Sequence, residues 1–163
     1  MELVLLAILI GIGATALMDL WALILSRGFG TASLDYALVG RWLGHMPAGR
    51  FAHGSIAAAP RVRGERLMGW GAHYAIGVLF AGLLLAACGL DWARAPSPGP
   101  ALVLGILTVA APFFIMQPGM GLGVAASKTP KPNVARLRSL ATHTIFGLGL
   151  YASTFLLARL MPH

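Results

Sequence analysis

Residues 3–25 read LVLLAILIGIGATALMDLWALIL, and nothing before Asp19 in that run carries a charge. A helix of about 20 such residues crosses a hydrocarbon core about 30 Å thick. Three later stretches, residues 67–90, 100–122 and 137–160, have the same character, and Asp19, His73, Gln117 and His143 are the polar residues that interrupt the four runs most strongly. The reading is therefore an all-α, polytopic membrane protein, one domain over residues 1–163, with four transmembrane helices in a bundle.

Composition agrees, because 58% of the residues are hydrophobic and 10% charged, far from the balance of soluble domains. The net charge of +7 does not point to nucleic acid, since the basic residues lie between apolar runs and not on the face of a soluble body. The partner implied is the lipid bilayer. The single cysteine, Cys88, has no mate for an intrachain disulfide and reads as a small packing residue. The first run lacks a basic leader, with only Glu2 before it, and is too long for a signal-peptide core, so it reads as a retained helix.

The basic residues set direction. Arg27, Arg41, Arg50, Arg61, Arg63 and Arg66 fall in the first connection (26–66), and Lys128, Lys131, Arg136 and Arg138 in or beside the third (123–136). By the positive-inside rule both connections are cytoplasmic and both termini lie on the other face. In the first connection Leu34, Ala37, Leu38, Trp42 and Met46 recur at helical spacing after Ser33, a residue suited to an N-cap. This predicts an interfacial helix, with Arg41 and Trp42 in the headgroup layer and a turn at Pro47-Ala48-Gly49. Asp35, Tyr36, Arg41, His45, Arg50, His53 and Glu65 give this loop more chemical variety than a tether needs, and so make it a candidate to fold back over the cytoplasmic mouth.

A weak internal repeat joins the spans in two hairpins. His73 and Gly77 in the second span, and His143 and Gly147 in the fourth, share the pattern H-x-x-x-G; Met18-Asp19 and Met116-Gln117 echo one another in the first and third. An ionisable residue inside a span is expensive and faces the bundle interior or a wet cavity. From a rise of about 1.5 Å per residue, Asp19, His73, Gln117 and His143 sit at one depth, roughly 6–10 Å inside the cytoplasmic edge. Thr15 and Tyr151 lie on the same stripes. On a regular helix Gln117 stands opposite Thr108, so only one of those two points to the centre. Pro112 predicts a kink in the third span.

This polar layer supports several chemistries. Hydrogen bonds between helices would fix register. Asp19 with the two histidines suits proton-linked transport or permeation of a small solute. Asp19, His73 and His143 together make a two-imidazole, one-carboxylate set for a divalent metal. His73 and His143 would also serve as axial ligands of haem b, with Gly77 and Gly147 leaving room for the macrocycle. A membrane-embedded redox or metal protein is thus the alternative to transport. A third reading is a non-catalytic subunit or assembly factor, or a homodimer, whose Gly11, Gly13, Gly105 and Gly149 meet a neighbouring chain. No G-x-S-x-G elbow, P-loop, dinucleotide-binding glycine pattern or H-E-x-x-H occurs.

The strings LDYALVGRWLGH (34–45), VRGER (62–66), GAHYAIG (71–77), APFF (111–114) and MQP (116–118) fall in the order that resembles a family of small bacterial inner-membrane proteins, known only as a domain of unknown function. The resemblance covers nearly the whole chain. It implies four helices and a bacterial inner membrane, and it transfers no activity, cofactor or catalytic residue.

Overall fold

The computed structural model describes residues 2–31 and 33–160. Their regular structure is helical throughout. Four long helices account for the apolar runs: α1 (Glu2–Phe29), α3 (Glu65–Arg94), α4 (Pro98–Gly119) and α5 (Pro132–Leu160), and a short α2 (Tyr36–His45) lies between the first two. Mean hydropathy in the most apolar window of the four ranges from 1.4 to 2.4, yet at most 28% of any such window is buried within the chain. Leu3, Val4, Ile12, Leu79, Leu83, Val103, Leu107 and Leu156 are among the exposed large apolar side chains. Helices this long, this apolar and this uncovered need lipid around them. The chain is a multi-pass membrane protein.

α1, α3 and α5 overrun the apolar stretches that announce them at one or both ends, because backbone hydrogen bonding continues past the apolar limit into polar turns, while α4 ends at Gly119, short of residue 122. The largest extension is at α5, which begins at Pro132, a residue suited to a first turn where its missing N–H costs nothing. α3 breaks near its end at Gly89, where φ 77 and ψ 173 describe a conformation that only glycine adopts readily. α2 starts at Tyr36, later than its spacing suggests. The cap is Asp35, not Ser33: the Asp35 carboxylate accepts the Ala37 N–H at 2.9 Å. A turn over Met46–Ala48 ends at Gly49 with φ 74, as the Pro-Ala-Gly sequence indicates.

α4 is interrupted. Pro112 cannot donate to the carbonyl one turn earlier, and Pro112–Met116 form a π-turn in which Gln117 N donates to Pro112 O. One extra residue is absorbed there, so a count along a regular helix does not carry across it from Thr108 to Gln117. Both are buried, at 5% and 6% exposure.

The chain divides into two compact units, one of Met1–Ser33, Tyr74–Thr108 and Leu140–His163, the other of Leu34–His73 and Val109–Ser139. The first has a core of Ile10, Ala14, Ala81, Leu84, Leu85, Ala101, Phe146 and Leu150, with Cys88 packed against it. Glycines let its helices approach backbone to backbone. Gly11 meets Gly77 and Val78, Gly105 meets Gly147 and the His143 carbonyl, and Gly149 meets Ala14. Gly13 abuts Ser153. The glycines that suggested a partner chain are thus filled by this chain's own helices.

The second unit is built on Val39, Trp42, Ile56 and Met120. The Trp42 indole packs on Gly119 and donates to Phe51 O at 2.8 Å. His53 N donates to Gly119 O at 2.9 Å and Ile56 N to Met120 O at 3.0 Å, which ties the first connection to the end of α4. Gly40 and Gly69 bring α2 onto the first turns of α3, with Gly40 against Glu65 O and Gly69 against Tyr36 O.

Candidate functional site

Polar residues of the spans are engaged in hydrogen bonds. In the first unit the Tyr74 hydroxyl donates to Asp19 Oδ2 at 2.9 Å. His143 Nδ1 lies 2.8 Å from Thr108 Oγ1, whose hydroxyl proton goes to Gly105 O at 2.5 Å. Because a hydroxyl has one proton to give, His143 donates from Nδ1 in this arrangement. Thr15, 1% exposed, returns its hydroxyl to Gly11 O at 2.7 Å, and so bonds its own helix. Tyr151 stacks near Phe155 with ring centroids 6.0 Å apart.

In the second unit His73 Nε2 and Tyr36 Oη share a 2.9 Å hydrogen bond, and Trp70 and His73 flank the Tyr36 ring, each with its centroid 4.4 Å from it. Gln117, like the Trp21 indole Nε1 in α1, breaks the rule of partners. Its Oε1 is buried and, among the described residues, has no donor within hydrogen-bonding distance.

Among the described residues no group of three or more His, Cys, Asp or Glu is placed to hold a metal ion. Beside Gly77 the space is taken by Thr15 and Gly11, and beside Gly147 by Ala101, Leu102 and Gly105, so both glycines serve close helix packing.

The loop candidates come together more tightly than a headgroup-bound tether. Arg41 is 6% exposed and Trp42 8%, so neither reaches out into a headgroup layer as its place on the stripe suggests. Arg41 turns inward because its charge has a complete set of partners. Its Nε and Nη2 donate to the two oxygens of Glu65 at 2.8 and 2.9 Å, a bidentate pairing, and Nη1 reaches the carbonyls of Ile56, Ala57 and Ala59 at 3.2–3.3 Å. The hydrogen bond to Glu65 raises the guanidinium above its ordinary value. Glu65 also accepts from Val62 N at 3.1 Å. One ion pair thus closes the loop onto the start of α3.

His45 and His53 form a second clasp. Their Nδ1 and Nε2 atoms are 2.8 Å apart, while His45 Nε2 is 3.1 Å from Pro60 O and His53 Nδ1 is 3.3 Å from Gly119 O. Carbonyls only accept, so each outer nitrogen donates, and the inner contact needs a third proton. With all three bonds made, the pair carries one positive charge. His45→Ala and His53→Ala should each lower stability by about 1 kcal/mol, with the double variant little worse than either, since the bonds form one chain. Thermal unfolding in detergent reads this; additive losses would mean that the two rings act independently.

Sequence reasoning named Asp19, His73, Gln117, His143 and the loop residues, but not Tyr74 or Trp70. An aromatic residue in an apolar run carries no mark of the polar partner it meets, although Tyr74 beside His73 was a hydroxyl at the right depth. Searches of curated proteins and of solved structures return no significant match. Residues 8–157 match a family model described as "Protein of unknown function (DUF2938)", and with nearly the whole chain covered, the protein belongs to that family.

Proposed function

We propose that this chain is a multi-pass protein of a bacterial inner membrane that moves a small solute, linked to protons, past the polar positions of its spans. The carrying observation is Gln117: a buried amide oxygen with no donor among the described residues, placed where Pro112 and the π-turn interrupt α4. Interrupted membrane helices supply substrate and ion sites in transporters, and π-turns concentrate at functional positions. Asp19 with Tyr74, and the two histidines with their hydroxyl partners, are groups through which protons exchange. The excess of Arg and Lys in the first and third connections supports a cytoplasmic face for both, periplasmic termini, and α2 lying along the cytoplasmic surface. Similar Gly–Gly crossings of α1 on α3 and α4 on α5, with the H-x-x-x-G pattern in α3 and α5, support a repeat of two hairpins.

The test is proton flux into vesicles holding the purified protein and a pH-sensitive dye. Wild type should exceed protein-free vesicles under an imposed potential, and Asp19→Asn should bring the rate down to theirs while unfolding as wild type does. A wild-type rate equal to that of empty vesicles would overturn proton linkage.

A further inference from the structure

Beside the Arg41–Glu65 pair the second unit opens into a cavity of about 450 Å³. The ion pair is part of its lining. Arg61 and Arg66 line it too, both exposed, and neither side chain makes a hydrogen bond or ion pair among the described residues. Arg61 lies close enough to Glu65 to act on it electrostatically. Leu34 and Trp70 add apolar surface to the same lining, and both are also exposed. Asp35 is the remaining acid, and its carboxylate is engaged in capping α2.

Arg41 and Glu65 neutralise each other, so the charge offered to a ligand comes from Arg61 and Arg66 against one engaged carboxylate. Two free guanidinium forks match the oxygens of a phosphate. Apolar surface with an indole in the same lining suits the glycerol and upper acyl region of a lipid, for which a free anion has no use. Trp70 is further held by the Tyr36 ring, with Tyr36 fixed in turn by His73, so the apolar surface is built and not merely exposed.

We infer that this cavity is a binding site for the headgroup of an anionic phospholipid, with Arg61 and Arg66 on the phosphate and Leu34 and Trp70 against its apolar shoulder. The inference rests on the proposed placement of the first connection at the cytoplasmic surface, where anionic headgroups meet basic residues. It also explains the loop's construction. The stripe residue Arg41 is spent on architecture, and the lipid-facing role falls to arginines outside α2.

Native mass spectrometry of the delipidated protein in detergent, titrated with phosphatidylglycerol or phosphatidylcholine, tests it. The anionic lipid should bind preferentially, and Arg61→Gln/Arg66→Gln should weaken it about tenfold or more. Arg50→Gln/Arg63→Gln removes equal charge from the same connection outside the cavity and should leave affinity unchanged. Trp70→Ala should weaken the lipid while sparing its preference for the anionic headgroup. Equal losses from both arginine pairs, or equal binding of the two lipids, would overturn the site; competition by millimolar inorganic phosphate would assign it to a free anion instead. Binding in detergent does not depend on which face the loop occupies. Labelling of a cysteine placed in the first connection reports that face separately, so failure of the topology and failure of the site are distinguishable.

Discussion

Gly69→Ala should destabilise the protein by about 3 kcal/mol, while Gly71→Ala, two residues along the same helix, should be neutral or stabilise it by up to about 1 kcal/mol. A Cβ on Gly69 would overlap the carbonyl oxygen of Tyr36, which belongs to the backbone of α2 and cannot rotate away. Relief requires moving α2 as a body, and with it the Arg41–Glu65 pair and the Tyr36 ring on His73 and Trp70. At Gly71 an added methyl meets nothing within 4 Å and gains helix propensity. Gly40→Ala should repeat the Gly69 effect from the other side, since its Cβ would strike Glu65 O. Fluorescence-detected size exclusion after heating reads all three. Equal melting of Gly69→Ala and Gly71→Ala would show that α2 does not cross α3 at this close approach.

Gln117→Met should act on stability and function in opposite senses. The side chain is 6% exposed and, among the described residues, its Oε1 has no donor, so an apolar replacement of similar length should remove a desolvated polar atom and stabilise the fold by about 1 kcal/mol. Under the proposed function the same change should abolish solute-linked flux in vesicles, because the oxygen would be the acceptor that the interrupted helix presents. Stability–function opposition of this kind marks a position retained for its chemistry. Were Gln117→Met both less stable and fully active, the amide would be a packing element and the transport reading would lose its carrying observation.

The membrane class and the four spans were legible because length and apolarity are local properties of a run of residues. The polar positions were legible too, for an aspartate or histidine in such a run stands out whatever surrounds it. Their engagements were not. Depth along a helix follows from residue count, but the rotation that selects Tyr74 for Asp19, Thr108 for His143 and Tyr36 for His73 depends on how the helices pack. The relation of Thr108 to Gln117 was out of reach for a sharper reason, since one π-turn at Pro112 resets the register on which such counting depends.

The loop divides the same way. Its basic character is visible in composition alone, and the Pro-Ala-Gly turn follows from backbone preference. Which arginine faces inward is a different matter. Arg41, Arg61 and Arg66 are chemically identical, yet only Arg41 meets the Glu65 carboxylate and the carbonyls of residues 56, 57 and 59. Likewise Gly69 and Gly71 are the same residue on one helix, and the neighbouring backbone makes one indispensable and leaves the other free. By itself, then, the chain's sequence determined that it crosses a membrane four times and where its polar atoms enter that environment, because transfer from water to lipid is summed residue by residue. Tertiary structure decided which of those atoms are satisfied, since a hydrogen bond needs a partner that arrives from elsewhere in the chain.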